Sequence, residues 1–148
     1  MAGKSNTPPK PGAKHKQLGV FIGVWHTEGT VLADGAKLVG TDTYEWMPGG
    51  FFQLHRVEAE IGGSEVNAFE VVGVDGKDIW TQSFDNTGNV QDYRARLTGR
   101  KWEIDGRLER FRGTFSADRR SLTGRWENRS TPRARWAAWM DIKLTKSR

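Results

Sequence analysis

From Trp25 onward, apolar and polar residues alternate in short runs. The runs are broken roughly every 8–14 residues by "ADGA", "MPGG", "IGGS", "VDGKD", "DNTG", "LTGR", "IDGR", "SADRRS" and "NRSTP". Gly, Asn and Asp at such breaks supply the positive φ angles that tight hairpins need. A helical period is confined to Lys14–Gly23, "KHKQLGVFIG", where Leu18, Phe21 and Ile22 share one face. The pattern predicts about ten strands, at 25–32, 37–46, 51–61, 64–74, 78–84, 89–97, 101–104, 107–116, 121–128 and 133–145. Hairpins in series without intervening helices indicate an all-β antiparallel sandwich or barrel. An up-and-down meander of this length closes to remove its two raw edges.

The turns also set an expected register. A loop centred on Pro48-Gly49 places Trp46 opposite Phe51, Tyr44 opposite Gln53 and Asp42 opposite His55. A turn at Asp34-Gly35 sets Thr27 beside Asp42 and Trp25 beside Tyr44. Gly62-Gly63 sets His55 beside Glu70 and Val57 beside Ala68. A three-residue loop at Asp75–Lys77 sets Glu70 beside Gln82 and Val72 beside Trp80, and "DNTG" sets Gln82 beside Gln91 and Trp80 beside Tyr93. Apolar residues stay on one face throughout, as a barrel interior requires.

That face carries a polar belt of Thr27, Asp42, His55, Glu70, Gln82 and Gln91. Beside it run the aromatics Trp25, Tyr44, Trp46, Phe51, Trp80 and Tyr93. The second half adds Trp102, Phe111, Phe115, Leu122, Trp126, Trp136 and Met140 at inward positions. Six of the seven Trp thus point inward, and an aromatic-lined hollow with a few converging polar groups is the usual chemistry of a small-molecule site. The expected ligand-binding residues are Tyr44, Trp46, Gln53, His55, Glu70, Trp80, Gln82 and Tyr93, with Asp42 orienting His55. The ligand expected is small and largely apolar or aromatic.

An imidazole between two carboxylates has its pKa raised by their charge. Asp42, His55 and Glu70 could therefore anchor a ligand, act as general acid and base with Tyr44 as proton donor, or offer one nitrogen and two oxygens to a metal. They could equally form a satisfied polar network that only holds the hollow. No cofactor and no metal is expected. His26 alternates with Trp25 and Thr27 and belongs outside. Trp25 is expected to plug one barrel end. Arg107 and Glu109 fall on the inner face, as a mouth ion pair or a sign of slipped register.

Charge changes this picture at the margins. The 148 residues carry a formal net charge of +5. Residues 17–93 hold three Lys/Arg against 12 Asp/Glu, and residues 94–148 hold 16 against 6. The halves can attract each other within one closed fold, or between copies in a head-to-tail homodimer. A basic outer wall built from Arg94, Arg96, Arg110, Arg112, Arg133 and Arg135 would be the footprint of nucleic-acid binding. The aromatics lie mostly on the opposite face, so this is the weakest of the three functional readings. Residues 1–16 carry four Lys, three Pro and no acid, the composition of a disordered leader before a single domain at 17–148. There is no cysteine, no apolar run near membrane-span length and no secretory h-region, so the expectation is a cytoplasmic protein without a membrane partner.

"LGVFIGVWHTEGT", "GTDTYEWMPGGFFQLHR" and "FDNTGNVQDYRARL" together resemble the uncharacterised bacterial family DUF1579. The Gly23-x-Trp25 opening is also similar to the lipocalin and calycin pattern. The resemblance runs from about Leu18 to the end and implies a lipocalin-like barrel that holds a ligand, without an established activity. Haem-binding nitrobindins have a similar opening. This chain lacks their middle glycine and has no His after His55, where they hold iron.

Overall fold

The computed structural model describes residues 7–148. Ten antiparallel strands form a closed barrel: β1 (Gly23–Val31), β2 (Lys37–Trp46), β3 (Gln53–Ile61), β4 (Ser64–Asp75), β5 (Asp78–Asp85), β6 (Val90–Thr98), β7 (Lys101–Asp105), β8 (Glu109–Phe115), β9 (Ser121–Asn128) and β10 (Ala137–Lys146). Each strand pairs with its neighbours in sequence and β1 pairs with β10, which removes both edges. All but β10 start within two residues of the expected position. β10 begins at Ala137 because 133–136 remain in the preceding loop.

A short helix α1 (Ala13–Gln17) and a 3-10 turn, Leu18–Phe21, cross one end of the barrel. They divide the stretch expected as one helix. The segment read as a leader includes residues 1–6, which lie outside the described residues. Its last four, Ala13–Lys16, are helical. Leu18 and Phe21 are fully buried. The Phe21 ring sits among Tyr44, Trp102 and Phe115, with centroids 4.8–5.3 Å away. Two side chains tie the plug down: Trp25 Nε1 donates to the Phe21 carbonyl at 2.7 Å, and Gln53 Nε2 donates to the Leu18 carbonyl at 2.6 Å. Trp25 is 1% exposed, so it does close this end.

The expected register survives where the turn is short and glycine-defined. Gly62 and Gly63 both have positive φ, the conformation a two-residue primed turn demands. That turn fixes His55 opposite Glu70 and Val57 opposite Ala68. Elsewhere the structure corrects the register. Trp46 pairs with Gln53, Tyr44 with His55 and Asp42 with Val57, because the loop spans Met47–Phe52. Trp25 pairs with Asp42 rather than Tyr44, and Thr27 with Gly40. Both slips are by two residues, so every side chain keeps its face.

The β4–β5 turn is different. It has two residues, not three: Asp75 pairs with Asp78, Gly73 with Trp80 and Glu70 with Ser83. This slip of one turns Trp80 and Gln82 to the outer wall and brings Ile79, Thr81 and Ser83 inside. The next turn reverses it. Thr81 pairs with Tyr93 and Ser83 with Gln91, so Tyr93 and Gln91 face inward as expected. Gly73 makes the outward Trp80 possible, since a Cβ there would lie 2.9 Å from its ring and 3.0 Å from that of Phe52.

Candidate functional site

The plugged half of the interior is filled with large side chains: Phe21, Trp25, Trp102, Phe115, Leu122 and Leu144 are all buried. The other half begins at a charged layer. His55 Nε2 bonds Asp42 Oδ2 at 2.6 Å, and Nδ1 bonds Glu70 Oε1 at 2.8 Å. Thr27 Oγ1 donates to Asp42 Oδ1. Tyr44 stacks flat on the imidazole, with centroids 3.9 Å apart and planes within 9°. Strands β1 to β4 therefore each contribute one or two members, and the Gly62-Gly63 turn aligns the last pair.

With both ring nitrogens facing carboxylates, His55 is held as imidazolium. Burial works against the charged ring, but the hydrogen bonds to Asp42 and Glu70 and their charges outweigh it and raise the pKa to about 9. Tyr44 stays neutral, pushed well above its ordinary value by burial and then by the charges of Asp42 and Glu70. With both carboxylates ionised, the cluster carries one net negative charge. Among its Asp42, His55 and Glu70 side chains, Glu70 is the most exposed, with 16% accessible against 10% for the other two.

The plug closes one end of the barrel, and the β1–β2, β3–β4, β5–β6, β7–β8 and β9–β10 connections lie at the other. Above the cluster one wall is built from short side chains: Val57, Ala68 and Ser83 face inward yet are only half-buried. The facing wall carries Tyr93, Phe111, Trp126 and Met140. Tyr93 donates its hydroxyl to Glu109 Oε2 at 2.8 Å. Burial, then the Glu109 charge and this bond, push its pKa far up. Thr81, 2% exposed, lies between Val72 and Tyr93, and its Oγ1 finds no partner among the described residues. Gln53 Oε1 is likewise buried and unpaired.

Of the expected ligand-binding residues, Tyr44, His55, Glu70 and Tyr93 gather in this interior. Gln53 and Trp46 sit lower, by the plug. Trp80 and Gln82 do not belong to it. Trp80 packs on Phe52 outside, and Gln82 donates to Asp92 on the surface. Phe51 lies in the β2–β3 loop, edge-on to His15. Trp136 is not inward either: it precedes β10, and the guanidiniums of Arg129 and Arg110 lie 4.0 and 4.6 Å from its ring centroid. His26 is exposed, as its alternation requires. Glu109 faces inward while Arg107 is exposed, so the two form no mouth ion pair. A groove of about 710 Å³ runs over β2–β5, lined by Val39, Phe69 and Phe84 and reaching Val57, Ala59 and Ala68, but His55 is not part of its lining.

No family model matches the chain, and no curated protein matches it either. Among solved structures, it is similar to a de novo designed fluorescence-activating β-barrel: TM-score 0.50, 13% identity, covering 87% of this chain and 95% of the other. A redesigned β-barrel bound to DFHBI aligns at TM-score 0.44 and 9% identity, covering 86% and 96%. The first likeness is one of fold, a closed antiparallel barrel.

Sequence reasoning missed Thr81, Ser83 and the Tyr93–Glu109 bond. One signal for the first two was present. Gly73 on a strand otherwise rich in Val marks a place where a ring crosses the backbone, and Trp80 is that ring. Placing Trp80 outside puts Thr81 and Ser83 inside. The Tyr93–Glu109 bond spans non-adjacent strands β6 and β8, which hairpin arithmetic does not address.

Proposed function

We propose that the protein binds a small, largely apolar or aromatic molecule in the open half of the barrel. The observation that carries this reading is the partly accessible Asp42–His55–Glu70 layer facing a wall of short side chains. A purely structural core gains little from three buried ionisable groups; well-packed apolar residues of similar volume are often as stable or more so. Here the layer presents Glu70 upward, and Glu70 Oε2 accepts no bond among the described residues. A ligand hydroxyl or amine could donate to it, and Thr81 Oγ1 offers a second polar contact. Tyr93 and Trp126 supply the aromatic face. The similar designed barrel is described as fluorescence-activating, in keeping with a barrel of this shape holding a small molecule.

The test is titration of N-phenyl-1-naphthylamine, an uncharged dye that brightens in apolar sites. Wild type is expected to bind it saturably. Ala68→Trp, which fills the half-buried position beside Val57, is expected to weaken binding at least about tenfold, the scale of one lost apolar contact surface. Absence of dye binding by wild type, or equal binding by the variant, counts against the reading.

An enzymatic reading uses the same layer for proton transfer. The pKa of about 9 and the two occupied ring nitrogens make His55 a poor base at neutral pH, leaving only an acid role. A bell-shaped pH–rate profile abolished by His55→Gln would support it. The basic-wall reading is weakened because Arg133 and Arg135 lie in the β9–β10 loop, outside the wall, and Arg94, Arg96, Arg110 and Arg112 each face Asp or Glu within 3.8 Å. Such neutralised arginines contribute little to counterion release. No helix among the described residues is long and apolar enough to cross a membrane.

A further inference from the structure

Arg94, Arg96, Arg110, Arg112 and Arg125 on the outer wall are paired, but the arginines of two open-end loops are not. The β7–β8 loop carries Arg107, and the β9–β10 loop carries Arg129, Arg133 and Arg135. None of the four forms an ion pair among the described residues. Arg107, Arg133 and Arg135 are exposed. Arg129 is held in place. Its Nε donates to the Arg107 carbonyl at 2.9 Å, its backbone NH donates to the Leu108 carbonyl at 3.0 Å, and its guanidinium lies on Trp136. The two loops are thereby joined, and they place four arginines along one arc of the rim, with Arg129 on the Trp136 ring. Acids on the adjoining strands are engaged: Glu109 by Tyr93, Glu127 by Arg110 and Asp105 by Arg112.

Below this arc, on the same side of the barrel, lies the aromatic wall of Phe111, Trp126 and Tyr93. At its foot is the negatively charged layer. The opposite rim carries Asp34, Glu60, Glu65 and Asp85. A bound molecule thus meets negative potential at the bottom and on one rim, and positive potential on the other rim. We infer that the ligand is an amphipathic anion: its apolar body lies in the barrel, and its carboxylate, sulfate or phosphate group sits at the Arg107–Arg129–Arg133–Arg135 arc. An anion could not enter head-first, because the Asp42–His55–Glu70 layer would repel it. This inference rests on the small-molecule reading above and adds the charge and orientation of the ligand.

A matched pair of dyes separates the two claims. 8-Anilinonaphthalene-1-sulfonate and N-phenyl-1-naphthylamine share one aromatic body and differ in the sulfonate. The anionic dye is expected to displace the neutral one and to bind about tenfold more tightly at low salt, the difference shrinking as salt rises. The triple variant Arg107→Gln, Arg133→Gln, Arg135→Gln, checked for folding by circular dichroism, is expected to lose most of that preference while holding the neutral dye as before. If the neutral dye binds and the sulfonate brings no advantage, the inference is overturned and the small-molecule reading stands. The same holds if the triple variant keeps the preference, or if the anion binds without displacing the neutral dye. If neither dye binds, both fail.

Discussion

Between pH 6.5 and about 9, the folded chain is expected to lose about 3 kcal/mol of stability through one group, His55. Its imidazole titrates at the ordinary value of 6.5 in the unfolded chain and at about 9 in the barrel. Below pH 6.5 the ring is protonated in both states, and the stabilisation by Asp42 and Glu70 is fully present. Above it the unfolded chain sheds its proton and the folded chain keeps it. The folded state then binds more protons, so stability falls as pH rises, until the folded ring also titrates near 9. The span from 6.5 to 9, at about 1.4 kcal/mol per pH unit, gives the estimate of about 3 kcal/mol. The side chain is 10% accessible, so solvent screening removes little of it. Guanidinium denaturation of wild type and His55→Gln at half-unit steps from pH 6 to 9.5 reads the effect. Any pH dependence that the two proteins share cancels in the difference. Wild type is expected to slope downward across the window and the variant to be nearly flat. A flat wild-type profile, or the same slope in both, refutes the assignment. If the variant does not fold, direct NMR titration of the wild-type imidazole replaces it, and a pKa at or below 6.5 is the refuting result.

Other consequences follow from the same geometry. Asp42→Asn removes one of the two carboxylates facing the ring and is expected to lower the His55 pKa by at least about one unit, read by NMR. Phe21→Ala takes the ring out of the plug among Tyr44, Trp102 and Phe115 and is expected to cost about 3–5 kcal/mol in denaturant titration. Gly124→Ala would push a methyl group into the Phe111 ring, and a loss of about 1–3 kcal/mol is expected in the same assay. His55→Ala is expected to weaken dye binding far more than His26→Ala, since His26 lies outside; equal effects would contradict the inward placement of His55.

The sequence discloses this barrel well because its signals are local. All nine turns between the ten strands contain residues with strong backbone preferences, and alternation then orders each strand. The inward chain of Thr27, Asp42, His55 and Glu70 was legible because the slips at β1–β2 and β2–β3 were both by two, which preserves the face. Trp80 and Gln82 were misplaced for the complementary reason. The Asp75–Asp78 turn is one residue shorter than expected, and a slip of one inverts a whole strand. The opposite change before Val90 restored Tyr93. Trp136 was misplaced because alternation was extended past the start of β10. The plug contacts, Gln53 with Leu18 and Trp25 with Phe21, depend on how a short helix folds across an end. No strand period carries that information. The rim arginines were visible as a charge excess, but only the assembled loops separate the unpaired four from the paired wall.

The central claim is that a small molecule entering the open end reaches the His55 layer. The most direct measurement is the set of imidazole C–H resonances of His15, His26 and His55 during titration with N-phenyl-1-naphthylamine. His55 is expected to shift saturably with the dye, while His26 on the outer wall and His15 in the plug helix α1 stay still. Dye binding that moves His26 or His15 and leaves His55 unchanged would contradict the account.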